Sequence, residues 1–558
     1  MLTKLAWIAA IVTALTSAKI ASNVLLQLEA DSVADIVIEF SSNKEALESA
    51  DVGIESIQTR GGQIAHIQQS LANHALTSQR SAKEVLQSQP EESAFTFKSF
   101  FISNTLHVSG ATKDIISQLA KLPEVTNIRK PYVAKLPVVT ISNTNSSSIS
   151  ATNEWGVNLI KAPAVWASGN KGEGIVVGGI DTGVLYTHEA LKGNWRSNYG
   201  WYDPTKKTAT PSDGNGHGTH TMGTSVGQNG IGVAPGATWI SCQGCTTDQC
   251  TEDSLLACGQ WMLCPTDTQG NNPKCDLAPN VINNSWGGSS AGETWYQATV
   301  DAWQKAGIIP VFANGNAGPN CATVASPGDH KNVIGVGAVA STDKLASFSS
   351  RGPTPDKRIK PDVSAPGQNV RSSWNTGNSA YNTISGTSMA TPHVTGAVAL
   401  YLASHKGAAY SDVLKAFTST VDTATLTPNG ANCGSVSDSK YPNNNYGYGR
   451  INVANAAGVS PSPSTSSPSA TTSKPTPAAT TSKPTPAAST TKPTPAATTS
   501  KPTRAPTTST KPTTRAPPAV CGTCSFCYYP DGDNCLTDFT KSDCTYYSAA
   551  YGTVWCGN

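Results

Sequence analysis

The chain has 558 residues, with 39 Lys and Arg against 37 Asp and Glu and a formal net charge of +2. That length is too great for one hydrophobic core and points to several domains. The near-balanced charge and the lack of a basic patch exclude nucleic acid as an expected partner, and no run is long and apolar enough to suggest a membrane span.

Residues 1–18 combine Lys4, the apolar run Leu5 to Leu15 and the small residues Thr16-Ser17-Ala18. This is the pattern of a secretory signal, so an exported, extracellular protein is expected. Residues 19–150 contain no cysteine and alternate helical and extended patterns. The periodicity predicts strands over Asp35–Phe40, Ser99–Ser109 and Val125–Arg129, and helices over Ala65–Leu86 and Lys113–Leu122, a small α+β domain. The polar segment Ile141 to Thr152 that follows is loop-like and accessible, and a proteolytic processing site is expected there.

Residues 151–459 hold three stretches that gain meaning together. Ile175 to Val184 is an apolar, β-branched run ending in Asp181 and a glycine turn, as in a buried parallel strand that delivers functional groups at its carboxyl end. Gly216-His217-Gly218-Thr219-His220 enters a helix of small residues, and Gly386-Thr387-Ser388-Met389-Ala390-Thr391-Pro392-His393 does the same. A serine at a helix N-terminus faces backbone N–H groups that favour developing negative charge. Singly, each has an ordinary explanation: a capping aspartate, a turn histidine, an N-cap serine. Together, Asp181, His217 and Ser388 supply the three roles of acyl-transfer catalysis, leaving His220 and His393 as structural residues. Pro392 is expected to be tolerated by falling early in its helix.

The same domain contains eight cysteines, those at 242, 245, 250, 258, 264, 275, 321 and 433. In an exported chain an even count predicts disulfides, with Cys242 to Cys275 a stapled insertion of undetermined connectivity. Cys242-x-x-Cys245 could instead open a zinc site, but the insertion has no histidine and the compartment is oxidising. Residues 460–519 are Ser, Thr, Pro, Ala and Lys with TTSKPTPAA recurring, a disordered and O-glycosylated spacer by composition. Residues 520–558 pack six cysteines with many aromatics; so small a unit needs disulfides in place of a large core. Tyr528, Tyr529, Tyr546, Tyr547 and Trp555 are candidates for stacking on sugar rings, the rival being a disulfide knot for protein docking.

The motifs IDTGV, HGTHTMGT and GTSMATPHVTG, in the order Asp, His, Ser, resemble those of the subtilisin-like serine peptidases, and HGTHTMGT with GVAPGATWI is similar to the bacillopeptidase F-like branch. The resemblance covers roughly residues 155–457. It implies a three-layer α/β domain with a mostly parallel sheet, in which Ser388 is the nucleophile, His217 the general base and then acid, and Asp181 its orienting partner. IIPVFANGNAGP at 308–319 is similar to the strand delivering the oxyanion asparagine, assigned to Asn316 with Asn314 as competitor. NNSWGG at 283–288 resembles the edge that pairs with an extended substrate, making Ser285, Trp286 and Gly287 substrate contacts. The amino-terminal domain would be an inhibitory propeptide, removed by the enzyme itself. The chemistry needs no cofactor. The family often binds structural calcium, but residues 227–237 are short where some members insert an Asn-rich loop, so the metal stays unplaced. The tail motif CxxCxFCYYPDGDNC is similar to family 52 carbohydrate-binding modules, implying β-glucan or another polysaccharide as partner beside the protein or peptide substrate. The expected protein is a secreted, wall-associated, self-processing endopeptidase; the alternative is a non-catalytic carbohydrate-binding wall protein with an inactive peptidase fold.

Overall fold

The computed structural model describes residues 19–90, 94–136, 140–142, 152–246 and 249–459, and, in a second unit, 527–529, 534–536, 544 and 554–556. The signal-like segment, most of Ile141–Thr152 and the 460–519 spacer lie outside the described residues.

In the amino-terminal domain, β1 (Val33–Glu39), β2 (Thr96–Phe100), β3 (Thr105–Thr112) and β4 (Asn127–Arg129) form an antiparallel sheet of order β2-β3-β1-β4. The inward residues Ile36, Ile38, Leu106 and Val108 meet Ile115, Ile116 and Leu119 of α3 (Lys113–Ala120) in one apolar core. Two expected elements are divided. The predicted helix 65–86 is α1 (Arg60–Ser78) and α2 (Arg80–Gln87), broken at the fully buried Gln79. There the side chain turns inward, donating to Asn104 Oδ1 at 2.9 Å and accepting from Ser99 Oγ at 2.6 Å. The predicted strand 99–109 is a hairpin, because the backbone amides of Phe101 and Ile102 leave the ladder to donate to Gln260 Oε1.

The central domain is built on a seven-stranded sheet. Its members are β7 (Val176–Asp181), β8 (Trp201–Tyr202), β9 (Thr238–Gln243), β11 (Val281–Asn284), β12 (Ile309–Ala313), β13 (Ile334–Val339) and β14 (Val363–Pro366). Their order is β14-β13-β12-β11-β7-β9-β8, and every pair is parallel. Period-two alternation sends neighbours to opposite faces: Val281 and Val311 join one core, Ile282 and Phe312 the other. A sheet covered on both faces explains the continuous apolar strands. One core is filled by α4 (His217–Val226) and the all-round apolar, almost wholly buried α7 (Thr387–Ser404). The other is filled by α5 (Glu252–Leu263) and α6 (Gln297–Lys305). This agrees with the expected three-layer α/β fold.

Between the two domains the chain forms short strands against the central domain. Strand β5 (Val133–Lys135) pairs antiparallel with β10 (Gln249–Thr251), and Lys135 also bridges Gly287. Strand β6 (Thr140–Ser142) pairs antiparallel with β16 (Tyr381–Ser385), whose other neighbour is β15 (Val370–Ser373). The eight cysteines of this domain form four disulfides, Cys242–Cys258, Cys245–Cys250, Cys264–Cys275 and Cys321–Cys433. In the second unit, β17 (Cys527–Tyr529) lies between β18 (Asn534–Leu536) and β19 (Val554–Trp555). Tyr528, Tyr529 and Trp555 thus lie on paired strands, whereas Tyr546 and Tyr547 lie outside the described residues.

Candidate active site

Asp181 is the last residue of β7 and His217 the first of α4. Their elements approach closely because Gly218 lacks a side chain; a Cβ there would lie 2.1 Å from the Gly183 carbonyl oxygen. His217 Nδ1 meets Asp181 Oδ1 at 2.8 Å. The same oxygen accepts the Thr182 N–H at 2.8 Å, and Thr221 Oγ1 donates to Oδ2 at 3.1 Å. Asp213 ties the two elements together, accepting from Thr182 Oγ1 at 2.9 Å and from the N–H groups of Gly216 and Thr219 at 2.8 and 2.9 Å. Burial pulls the His217 pKa down, but the charge and hydrogen bond of Asp181, helped by the charge of Asp213, outweigh it and leave it raised. His217 Nε2 is buried without a hydrogen-bond partner.

Ser388 is the second residue of α7, and its Oγ donates to the Ser285 carbonyl at 3.2 Å. Ser285 Oγ in turn donates to the Ser388 carbonyl at 3.0 Å. That bond has a local cause. Pro392 sits inside α7, not at its edge, and has no N–H to offer the carbonyl four residues back, so the Ser285 hydroxyl supplies the missing donor.

Asn316 Oδ1 accepts from both the N–H and the Oγ1 of Thr387, at 2.9 and 2.7 Å. A backbone N–H can only donate, so this fixes the oxygen toward Thr387 and makes Nδ2 the donating end. Asn314 is fully buried and its Nδ2 donates to the Ser350 carbonyl at 2.9 Å, a structural engagement. His220 and His393 are also buried and are pushed down to about 3 and about 4 by burial. Their ring nitrogens meet the carbonyls of Val370 and Met389 at 3.0 and 2.8 Å, the structural part expected of them.

Of the substrate-edge residues, Gly287 exchanges two backbone hydrogen bonds with Lys135, at 2.9 and 3.2 Å. The Trp286 side chain is fully buried against Tyr296 and Phe312, with ring centroids 5.1 and 5.4 Å away. Leu136, Trp286, Gly287, Gly315, Asn316 and Ala325 are among the residues lining a cavity of about 190 Å³. Thr221, Thr387 and Asp213 were not singled out from sequence. Thr221 was legible in principle, one helical turn beyond His217. Among the described residues no group of three or more His, Cys, Asp or Glu could hold a metal.

The arrangement is a histidine paired with a carboxylate, a serine at a helix N-terminus and an asparagine amide bound to the residue before that serine, in an α/β domain with a parallel sheet. The Subtilase family model matches residues 172–449. The chain is 36% identical over 418 residues to Bacillopeptidase F of Bacillus subtilis, covering 69% of this chain but only 28% of that protein. It is 34% identical over 313 residues to Subtilisin DY of Bacillus licheniformis, covering 55% of this chain and 99% of that protein. It is 34% identical over 316 residues to the Cuticle-degrading serine protease of Arthrobotrys oligospora, covering 54% and 69%. The chain belongs to the subtilase family of serine peptidases. No helix among the described residues is long and apolar enough to cross a membrane.

Proposed function

We propose that the protein is a secreted serine endopeptidase whose triad is Asp181, His217 and Ser388, and that it processes itself. The observation carrying this reading is the His217–Asp181 pair at 2.8 Å with Nε2 buried and unpaired. Nδ1–H held by the carboxylate sets the tautomer and leaves Nε2 able to take a proton. Rotation of the Ser388 side chain away from the Ser285 carbonyl brings Oγ to that base, a contact that commonly tightens only when substrate binds. Oγ attacks the scissile carbonyl carbon as Nε2 takes its proton. The resulting oxyanion is met by Asn316 Nδ2 and the Ser388 N–H, which at the second position of α7 has no helical acceptor. The C–N bond then breaks as His217 returns the proton to the leaving amine, and water resolves the acyl-enzyme by the same steps.

The domain spanning residues 19–136 acts as the propeptide in this reading. Arg129 Nη2 and Nη1 meet the fully buried Glu252 at 2.6 and 2.8 Å, and the Tyr132 N–H donates to the same carboxylate at 2.6 Å. Gln260 takes the hairpin amides, and His107 and Lys98 pair with Asp253. Antiparallel pairing of β5 with β10 and Gly287 is how an extended substrate would bind, as an added strand. Because β6 continues beside β16, which runs into Ser388, the bond cut in self-processing falls between Leu136 and Thr140, upstream of Ile141–Thr152. The aromatic residues Tyr528, Tyr529, Tyr546, Tyr547 and Trp555 would hold polysaccharide such as β-glucan and keep the enzyme at a wall surface.

Labelling tests the nucleophile. Treatment of the active protein with phenylmethylsulfonyl fluoride is expected to stop hydrolysis with a single adduct on the peptide containing Ser388. Full inhibition with the adduct on another serine would refute the assignment.

A further inference from the structure

The strand that receives the substrate's upstream residues is not part of the main sheet. β10 is three residues long, and its one strand partner among the described residues is β5. In the reading above, β5 departs after self-processing, which leaves β10 with no ladder on either side. A short strand without neighbours is not self-supporting, and ordering its residues costs backbone entropy. Something other than pairing must therefore hold β10 in place for the next substrate.

Its middle residue, Cys250, is fully buried and bonded to Cys245, five residues earlier. The Cys245 N–H donates to the carbonyl of Asp181 at 3.1 Å, and Thr246 N–H donates to the Gln249 carbonyl at 3.2 Å. Cys242, level with Ile180 in the β7–β9 ladder, is bonded to Cys258 of α5, the helix that follows β10 directly. The recognition strand is thus tied covalently to a residue whose own backbone hangs on the triad aspartate. The register sets Cys250 opposite Ala134 and Thr251 opposite Val133, while Lys135 also reaches Gly287. Residues at the Ala134 and Val133 levels are therefore read by β10, and residues nearer the cleaved bond by the Gly287 side.

We propose that the Cys245–Cys250 disulfide positions β10 for recognition of extended peptides, so that opening it weakens binding of long substrates without slowing the chemistry. The proposal rests on the peptidase reading. The test compares the processed wild type with the Cys245→Ser, Cys250→Ser double variant, expressed as the full chain. Two substrates are used: an anilide with five residues before the scissile bond, and a one-residue ester. The expected result is a KM for the anilide raised about tenfold with kcat unchanged, and both constants for the ester unchanged. Unchanged anilide KM, or equal changes for both substrates, overturns the proposal while the peptidase reading stands. A wild type inactive on both overturns the two together. If the variant is not secreted, the same comparison is made on folded wild type under mild reduction, with peptide mass mapping to follow fractions in which only the Cys245–Cys250 pair has opened. The same split in KM is expected there and must reverse on reoxidation; its absence overturns the proposal equally.

Discussion

At the residue scale, the site works because each reactive group is held by a neighbour chosen for donor or acceptor character. Asn316 is aimed by Thr387, and in the proposed reading its replacement removes an oxyanion donor while leaving the Gly287 backbone in place. Asn316→Ala is expected to lower kcat by about 10²–10³, or 2.7–4 kcal/mol in the transition state, with KM little changed. Steady-state kinetics on a peptide anilide checks this. The raised pKa of His217 has a definite sign. The folded protein favours the imidazolium, a stabilisation fully present below the ordinary histidine value of about 6.5 and lost as pH rises through the raised folded value. Catalysis needs the neutral ring, so the acid limb of kcat/KM is expected above about pH 6.5. A pH–rate profile shows it, and a limb lying below that value contradicts the electrostatic account. The pairing of His217 with Asp181 could be anticipated from sequence because glycine-flanked motifs keep each residue next to its own turn. That the Trp286 side chain packs into the core against Tyr296 and Phe312 was not legible, because a linear motif does not say where a side chain turns.

At the element scale, the helix that presents Ser388 contains a proline that would leave a carbonyl unmet, and a hydroxyl from the substrate edge fills the gap. Sequence indicated the helix but not this exchange, since Ser285 and Ser388 are far apart in the chain. The same limit explains the split of 65–86 and of 99–109: the breaks are set by Gln79 turning toward Asn104 and by Gln260 taking hairpin amides. Disulfide pairing was also closed to sequence. Cys321–Cys433 joins the segment beyond β12 to a loop 112 residues later, so it restricts the unfolded chain most. The Cys321→Ser, Cys433→Ser double variant is expected to lose about 2–5 kcal/mol of stability with kcat of the surviving enzyme unchanged. Denaturant unfolding alongside activity measures both.

At the scale of the whole molecule, the amino-terminal domain and the central domain share an apolar cluster that runs from Leu71, Phe100 and Ile102 to Leu256, Trp261 and Val300. Around it, Glu252 and Asp253 at the start of α5 collect Arg129, His107 and Lys98. An α+β domain ahead of the peptidase was legible in the alternation of patterns. Its docking was not, because a buried Glu252 reads in sequence as an ordinary first-turn acid. The described strands on either side of the connection pair with β10 and with β16, the strand that leads into Ser388, and the proposed self-cleavage rests on that pairing. The decisive measurement is the amino terminus of the secreted protein and its digestion of denatured casein, for the full chain and for Ser388→Ala. The expected result is a wild-type chain that begins between Pro137 and Thr140 and digests casein, and a variant that keeps its amino-terminal domain and digests nothing. Identical amino termini in the two, with no casein digested by either, would contradict it.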